Sequence, residues 1–122
     1  MIKILICDDE VFARDAMKTI VSRKGFNVFT AATGEECINM TKQENPEVIF
    51  LDVMLPDLDG DHLFKYLKDI KKDVDIYFIT ASGTIFTEEK AKNLGAKGYL
   101  SKPVDMKELF DVLDKIKKDF GE

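Results

Sequence analysis

The sequence predicts an α/β domain: a doubly wound, five-stranded parallel sheet flanked by five helices. Two observations carry this. Short runs rich in β-branched and aromatic residues alternate five times with longer stretches of helical periodicity, the pattern of repeated β-α units on a parallel sheet. The first, third and fourth of these runs are almost wholly apolar, as strands covered on both faces must be.

The first strand is expected over 2–7 (Ile-Lys-Ile-Leu-Ile-Cys) and the first helix over 11–24, where Gly25 followed by Phe26 supplies a stop. The second strand, 27–31 (Asn-Val-Phe-Thr-Ala), is the most polar and carries no evident site residue, which suits an edge. Thr33 and Glu36 read as a capping box for a helix over 34–44. Pro46 then separates that helix from a strand over 47–51. A helix over 60–71, a strand over 75–79 and a helix over 87–94 follow, the last stopped at Gly95. After a short strand over 98–100, Met106, Leu109, Leu113, Ile116 and Phe120 recur at helical spacing over 105–119, with Asp105 and Glu108 as a capping box. Right-handed crossovers and a polar second strand favour the order 2-1-3-4-5, the flavodoxin-like arrangement, with its switch point between strands one and three.

At 122 residues the chain fits one domain, 1–122. A formal net charge of -5 with lysines dispersed among acids argues against direct nucleic-acid binding. No apolar run approaches membrane-spanning length, and the N-terminus turns acidic too early for a signal peptide, so a cytoplasmic protein is expected. Cys7 and Cys37 have no metal-type spacing and read as small apolar residues.

Function is most legible at the strand ends. Asp8 and Asp9 follow the first strand, Asp52 the third, Thr80 the fourth and Lys102 the fifth. In an open α/β sheet these ends share one edge, where ligands bind. Three clustered carboxylates raise one another's pKa, so the site either stays partly protonated or takes a cation. Oxygen donors without imidazole or thiolate favour Mg²⁺, which binds a few carboxylates and shares phosphate oxygens. Lys102 and Thr80 then suit a phosphoryl group, and Asp52, in the middle of the site, is the candidate nucleophile for an aspartyl phosphate.

These residues give the chain a resemblance to the receiver domain of two-component response regulators. The likeness rests on Asp8-Asp9, the segment Leu51-Asp52-Val53-Met54-Leu55-Pro56-Asp57-Leu58-Asp59-Gly60, Thr80-Ala81 and Lys102-Pro103, in order. The resemblance implies that Asp52 accepts a phosphoryl group from the phosphohistidine of a sensor histidine kinase or phosphotransfer protein. It implies Asp9 as a direct Mg²⁺ ligand and Asp8 as one acting largely through water. Asp52 and the backbone carbonyl of Met54 would complete the protein ligands, and Lys102 and Thr80 would contact phosphoryl oxygens. It also implies a cis Lys102-Pro103 peptide and a switch in which Tyr99 follows Thr80, altering the helix 4–strand 5–helix 5 face for a downstream partner. The module would catalyse its own phosphorylation and slow dephosphorylation rather than serve as a metabolic enzyme.

Three other readings fit less well. A flavin protein on this fold would place Ser, Thr and Gly, not Cys-Asp-Asp-Glu, after strand one. A haloacid-dehalogenase-like phosphatase would have an aspartate at position 54. A receiver that is never phosphorylated would lack one of the acids, the Thr or the Lys. Ala96-Lys97-Gly98-Tyr99 lacks the acidic pair that supports dimers of transcription-factor receivers, so a monomer or transient dimer is expected. His62 and the lysine run 115–118 read as solvated helix residues. Asp57, Asp59 and Asp61 read as loop and cap residues, and Ser82-Gly83-Thr84 as a mobile loop.

Overall fold

The computed structural model describes residues 1–81 and 86–122. In chain order the elements are β1 Lys3–Cys7, α1 Val11–Arg23, β2 Asn27–Ala31, α2 Gly34–Glu44, β3 Val48–Asp52, α3 Gly60–Ile70, β4 Asp75–Ala81, α4 Glu88–Leu94, β5 Gly98–Lys102 and α5 Met106–Asp119. All four strand pairings are parallel, and the sheet order is β2-β1-β3-β4-β5. The expected fold class and strand order are therefore the observed ones. No helix among the described residues is long and apolar enough to cross a membrane.

The main departures lie at strand ends. β4 and β5 run two residues beyond the predicted 79 and 100, and β3 includes Asp52. Thr80 and Lys102 are thus held by the sheet ladder, not by loops after it: Thr80 pairs with Ser101 and Ala81 with Lys102. Polar residues ended the predicted strands because apolar periodicity reads burial, whereas strand pairing needs only backbone groups.

Strand alternation divides the interior into two layers. Ile4, Ile6, Val48, Phe50, Ile79 and Leu100 face Met17 and Val21 of α1 and Leu109, Leu113 and Ile116 of α5. Leu5, Cys7, Ile49, Leu51, Ile76 and Phe78 face Cys37 of α2, Leu63, Phe64 and Leu67 of α3, and Ala91 of α4. β3, at the centre, is buried along its whole length. Because side chains alternate with a period of two, the same parity carries through to the residues at the sheet's carboxyl edge.

Helix ends largely follow the sequence signals. Thr33 Oγ1 accepts from the Glu36 amide, and the Glu36 carboxylate reaches back to the Ala32 amide, one residue earlier than the box motif implies. Asp105 caps α5 through the Lys107 amide, not that of Glu108. Gly25 and Gly95 adopt φ of 95° and 98°, the left-handed conformation that lets the chain leave α1 and α4. Lys115 and Lys118 of the basic run are exposed, but Ile116 is buried, and Lys117 Nζ lies 5.4 Å from the Phe26 ring centroid.

Tyr77 shows where packing is tight and imperfect together. Its ring lies over Gly98, where an added Cβ would come within 2.6 Å of Tyr77 Cδ2. Among the described residues its buried hydroxyl has no hydrogen-bond partner, and burial, with Asp75 and Asp119 nearby, pushes its pKa up to about 12. Gly98→Ala is expected to cost about 1–3 kcal/mol through overpacking. Tyr77→Phe removes an unsatisfied hydroxyl while keeping the ring, so it is expected to leave stability unchanged or raise it by about 1 kcal/mol. Chemical denaturation of both variants checks the pair; a clear loss in Tyr77→Phe contradicts the packing described.

Candidate functional site

Two parallel ladders set the site. Cys7 pairs with Leu51, so Asp8, the next residue, comes level with Asp52 at the carboxyl ends of neighbouring strands. By alternation Asp8 and Asp52 share the face of Ile6 and Phe50, and Lys102 shares that of Leu100. All three point to the side covered by α1 and α5, and they meet there. Lys102 Nζ lies 2.8 Å from Asp8 Oδ2 and 2.9 Å from Asp52 Oδ2. The Lys102–Pro103 peptide is cis, as the resemblance implied.

Backbone groups fix the remaining carboxylate oxygens. The Met54 amide donates to Asp52 Oδ1 at 2.8 Å, and the Glu10 amide donates to Asp8 Oδ1 at 2.9 Å. Arg14 Nη1 donates to the Asp8 carbonyl at 3.0 Å, anchoring the start of the β1–α1 turn to α1. Asp8 and Asp52 are only 1% and 3% exposed, whereas Asp9 is open to solvent. One carboxylate oxygen from each of the three aspartates lies within 4.8 Å of the others.

Burial raises the Asp52 pKa above its ordinary value and outweighs the opposing effect of Lys102 and the Met54 amide, while Asp8 pushes it the same way as burial. For Lys102, burial acts to lower the pKa, but its hydrogen bonds and charge attraction to Asp8 and Asp52 prevail and raise it. The acidic cluster thus has an internal counter-ion. The sequence reading offered only partial protonation or a bound cation; the ammonium of Lys102 is a third solution, available because β5 aims it into the same pocket.

Thr80 and Tyr99 belong to the opposite parity. Thr80 is buried at the end of β4, with Oγ1 3.4 Å from the Ala81 carbonyl oxygen. Tyr99 is partly buried against the α2–α3–α4 layer, and its hydroxyl donates to the Phe86 carbonyl at 3.0 Å. Met54 is 62% exposed, so its side chain is not part of the buried cluster, although its backbone borders Asp52.

The other residues considered from sequence fall elsewhere. His62 is exposed and pairs with Asp59 at 3.2 Å. Asp61 pairs with Lys90 at 3.2 Å, linking α3 to α4. Asp57 caps a different helix from the one its loop enters. Cys7 and Cys37 are free, buried and in contact; burial, then the contact with Cys37, pushes the Cys7 thiol pKa well up. Ser82, Gly83 and Thr84 lie outside the described residues.

This fold and edge define a class, and comparison with known proteins agrees. Residues 4–114 match the response regulator receiver domain, and the chain belongs to that family of two-component signalling proteins. It is 31% identical to sporulation initiation phosphotransferase F of Bacillus subtilis over 113 residues, covering 93% of this chain and 91% of that protein. It is 41% identical over 109 residues to the probable transcriptional regulator ycf27 of Guillardia theta, covering 88% of this chain but 42% of the relative. The chain therefore spans less than half the length of some curated relatives it matches. Among solved structures, a Francisella response regulator receiver domain superposes with a TM-score of 0.87 at 26% identity, covering 98% of this chain and 99% of that one.

A raised folded pKa for Asp52 means that folding favours its neutral form. Stability from this group is fully present below the unfolded pKa and lost as pH rises through the folded one. Asp52→Asn, which stays neutral, is therefore expected to raise the melting temperature at pH 7 without divalent metal. The gain should shrink as pH falls through the raised pKa of the folded carboxyl and be gone below the ordinary carboxylate value of about 4, where the unfolded chain protonates as well. Melting curves across that range check it; a lower melting temperature for Asp52→Asn at pH 7 contradicts it.

Proposed function

We propose that this chain is a phosphorylation-switched receiver in which Asp52 takes a phosphoryl group from the phosphohistidine of a sensor histidine kinase or phosphotransfer protein. The observation that carries this reading is the Asp8–Lys102–Asp52 bridge at the sheet edge, with Asp9 beside it. An Asp52 carboxylate oxygen attacks phosphorus as the P–N bond breaks. The bonding pair returns to the imidazole, which takes up a proton. Lys102, already 2.9 Å from the acceptor carboxylate, follows the incoming charge onto a phosphoryl oxygen. The Thr80 hydroxyl contributes a hydrogen bond to another.

Carboxylate oxygens of Asp8, Asp9 and Asp52 form a hard, anionic donor set that fits Mg²⁺, and the Met54 carbonyl would join it. When bound, the ion supplies positive charge against the phosphoryl oxygens in the transition state. Asp9, the most exposed of the three acids, suits a ligand that meets a partly hydrated ion directly. Asp8, committed to Lys102 and the Glu10 amide, suits one acting largely through water.

Output follows from the opposite face. Thr80 and Tyr99 share strand parity, and the Tyr99 hydroxyl holds the Phe86 carbonyl just before α4. Drawing Thr80 toward a phosphoryl group frees space for Tyr99 and alters the α4–β5–α5 surface that a downstream protein reads. Self-phosphorylation, slow hydrolysis of the aspartyl phosphate, a cytoplasmic setting, a single receiver domain over 1–122, and a monomeric or transiently dimeric state belong to the same reading.

Incubation with acetyl phosphate and Mg²⁺ is expected to add one labile phosphoryl group, detected by intact mass. The adduct should be absent from Asp52→Asn and from samples with chelator. Failure of the wild-type protein to gain that mass with Mg²⁺ present, or an unchanged adduct on Asp52→Asn, overturns the proposal.

A further inference from the structure

The loop between β3 and α3 is tied to a helix that precedes it in the chain. The Asp57 carboxylate accepts from the Gly34 amide at 2.7 Å through Oδ1 and from the Glu35 amide at 3.0 Å through Oδ2. These are the first two amides of α2, which lack intrahelical acceptors; Thr33 serves the third. These two hydrogen bonds, with burial only opposing them, lower the Asp57 pKa. Next to it, Leu58 lies so close to Gly34 that an added Cβ would sit 2.6 Å from Leu58 Cδ1. At the far end of the loop, a Cβ on Gly60 would come within 3.0 Å of the Val53 Cα. An isolated bridge between Met54 and Asp59 closes the loop on itself.

We infer that Asp57 is a positioning residue for the proposed metal site: by clasping the N-terminus of α2 it sets the 53–59 loop, and with it the backbone of Met54 beside Asp52. The connection is continuous. Asp57 and Leu58 hold the loop to α2, the bridge to Asp59 holds Met54, and the Met54 amide holds Asp52 Oδ1 at 2.8 Å. α2 is a fixed reference because Cys37 packs against Cys7, the residue before Asp8. Both sides of the metal site are therefore referred to one helix. The inference rests on the Mg²⁺ reading above.

A purely structural role predicts something different. If Asp57 only stabilises α2 through its helix-terminal charge, losing another cap of the same helix should have the same consequences. Thr33→Ala removes such a cap without touching the loop. Mg²⁺ titration by calorimetry, thermal melts and amide exchange at Met54 on wild type, Asp57→Ala, Asp57→Asn and Thr33→Ala separate the two.

Asp57→Ala is expected to weaken Mg²⁺ binding about tenfold, the lower end of what outer-shell partners of metal ligands contribute. It should also speed Met54 amide exchange in the metal-free protein. Asp57→Asn, whose amide oxygen still accepts from Gly34, should recover part of both. Thr33→Ala should lower the melting temperature yet keep wild-type Mg²⁺ affinity. Wild-type affinity in Asp57→Ala, or equal weakening in Thr33→Ala, overturns the positioning role while leaving the Mg²⁺ reading intact. Absence of Mg²⁺ binding by the wild-type protein overturns that reading and the inference together.

Discussion

Lys102 Nζ stands between two carboxylates that the fold has removed from water. Each is within 3 Å of the ammonium, and Asp8 and Asp52 are almost wholly buried. Burying an ion costs several kcal/mol unless partners replace its hydration. Here each acid receives one backbone amide and a share of one ammonium. The balance is not complete: the Asp52 pKa remains above its ordinary value. Added positive charge beside the pair, whether a proton or a cation, would relieve what the ammonium leaves uncompensated.

That constraint explains the local architecture. The acids must sit on adjacent strands so that one ammonium reaches both, which the β1–β3 pairing provides. Lys102 must arrive from β5, two strands away from β3, so β5 keeps its pairing with β4 through residue 102. Parity then divides the labour: Asp8, Asp52 and Lys102 face the α1–α5 side, while Thr80 and Tyr99 face the side of α4. The candidate input and output groups thus share a strand edge but lie on opposite surfaces of the sheet, and β4 and β5 carry residues of both sets.

Most of the fold was legible in the sequence because buried parallel strands demand continuous apolar runs, and Ile4–Leu5–Ile6 and Ile49–Phe50–Leu51 are short, apolar, rich in β-branched or aromatic residues and buried. The candidate site residues were legible because polar groups interrupt those runs at their carboxyl ends. Pairwise placement was not. Nothing local says that Asp57 reaches back to Gly34 and Glu35, that Cys7 meets Cys37, or that Tyr99 bonds the Phe86 carbonyl. Each contact depends on crossover geometry rather than on neighbouring residues. The pairing of Lys102 with Asp8 and Asp52 is hidden for a different reason: a lysine after a strand suits a phosphate as well as a carboxylate, because its charge serves any nearby anion.

If one ammonium and one metal ion neutralise the same acids, they are partial substitutes. The direct measurement is the melting temperature of wild type and Lys102→Met with and without saturating Mg²⁺; methionine keeps much of the apolar stem and removes the charge. Without metal, Lys102→Met should melt below wild type, because two buried carboxylates lose their counter-ion. With Mg²⁺ it should gain more than wild type does, since the ion no longer shares its ligands with Lys102. An equal or smaller gain in Lys102→Met would contradict the claim that Lys102 is the internal counter-ion of this site.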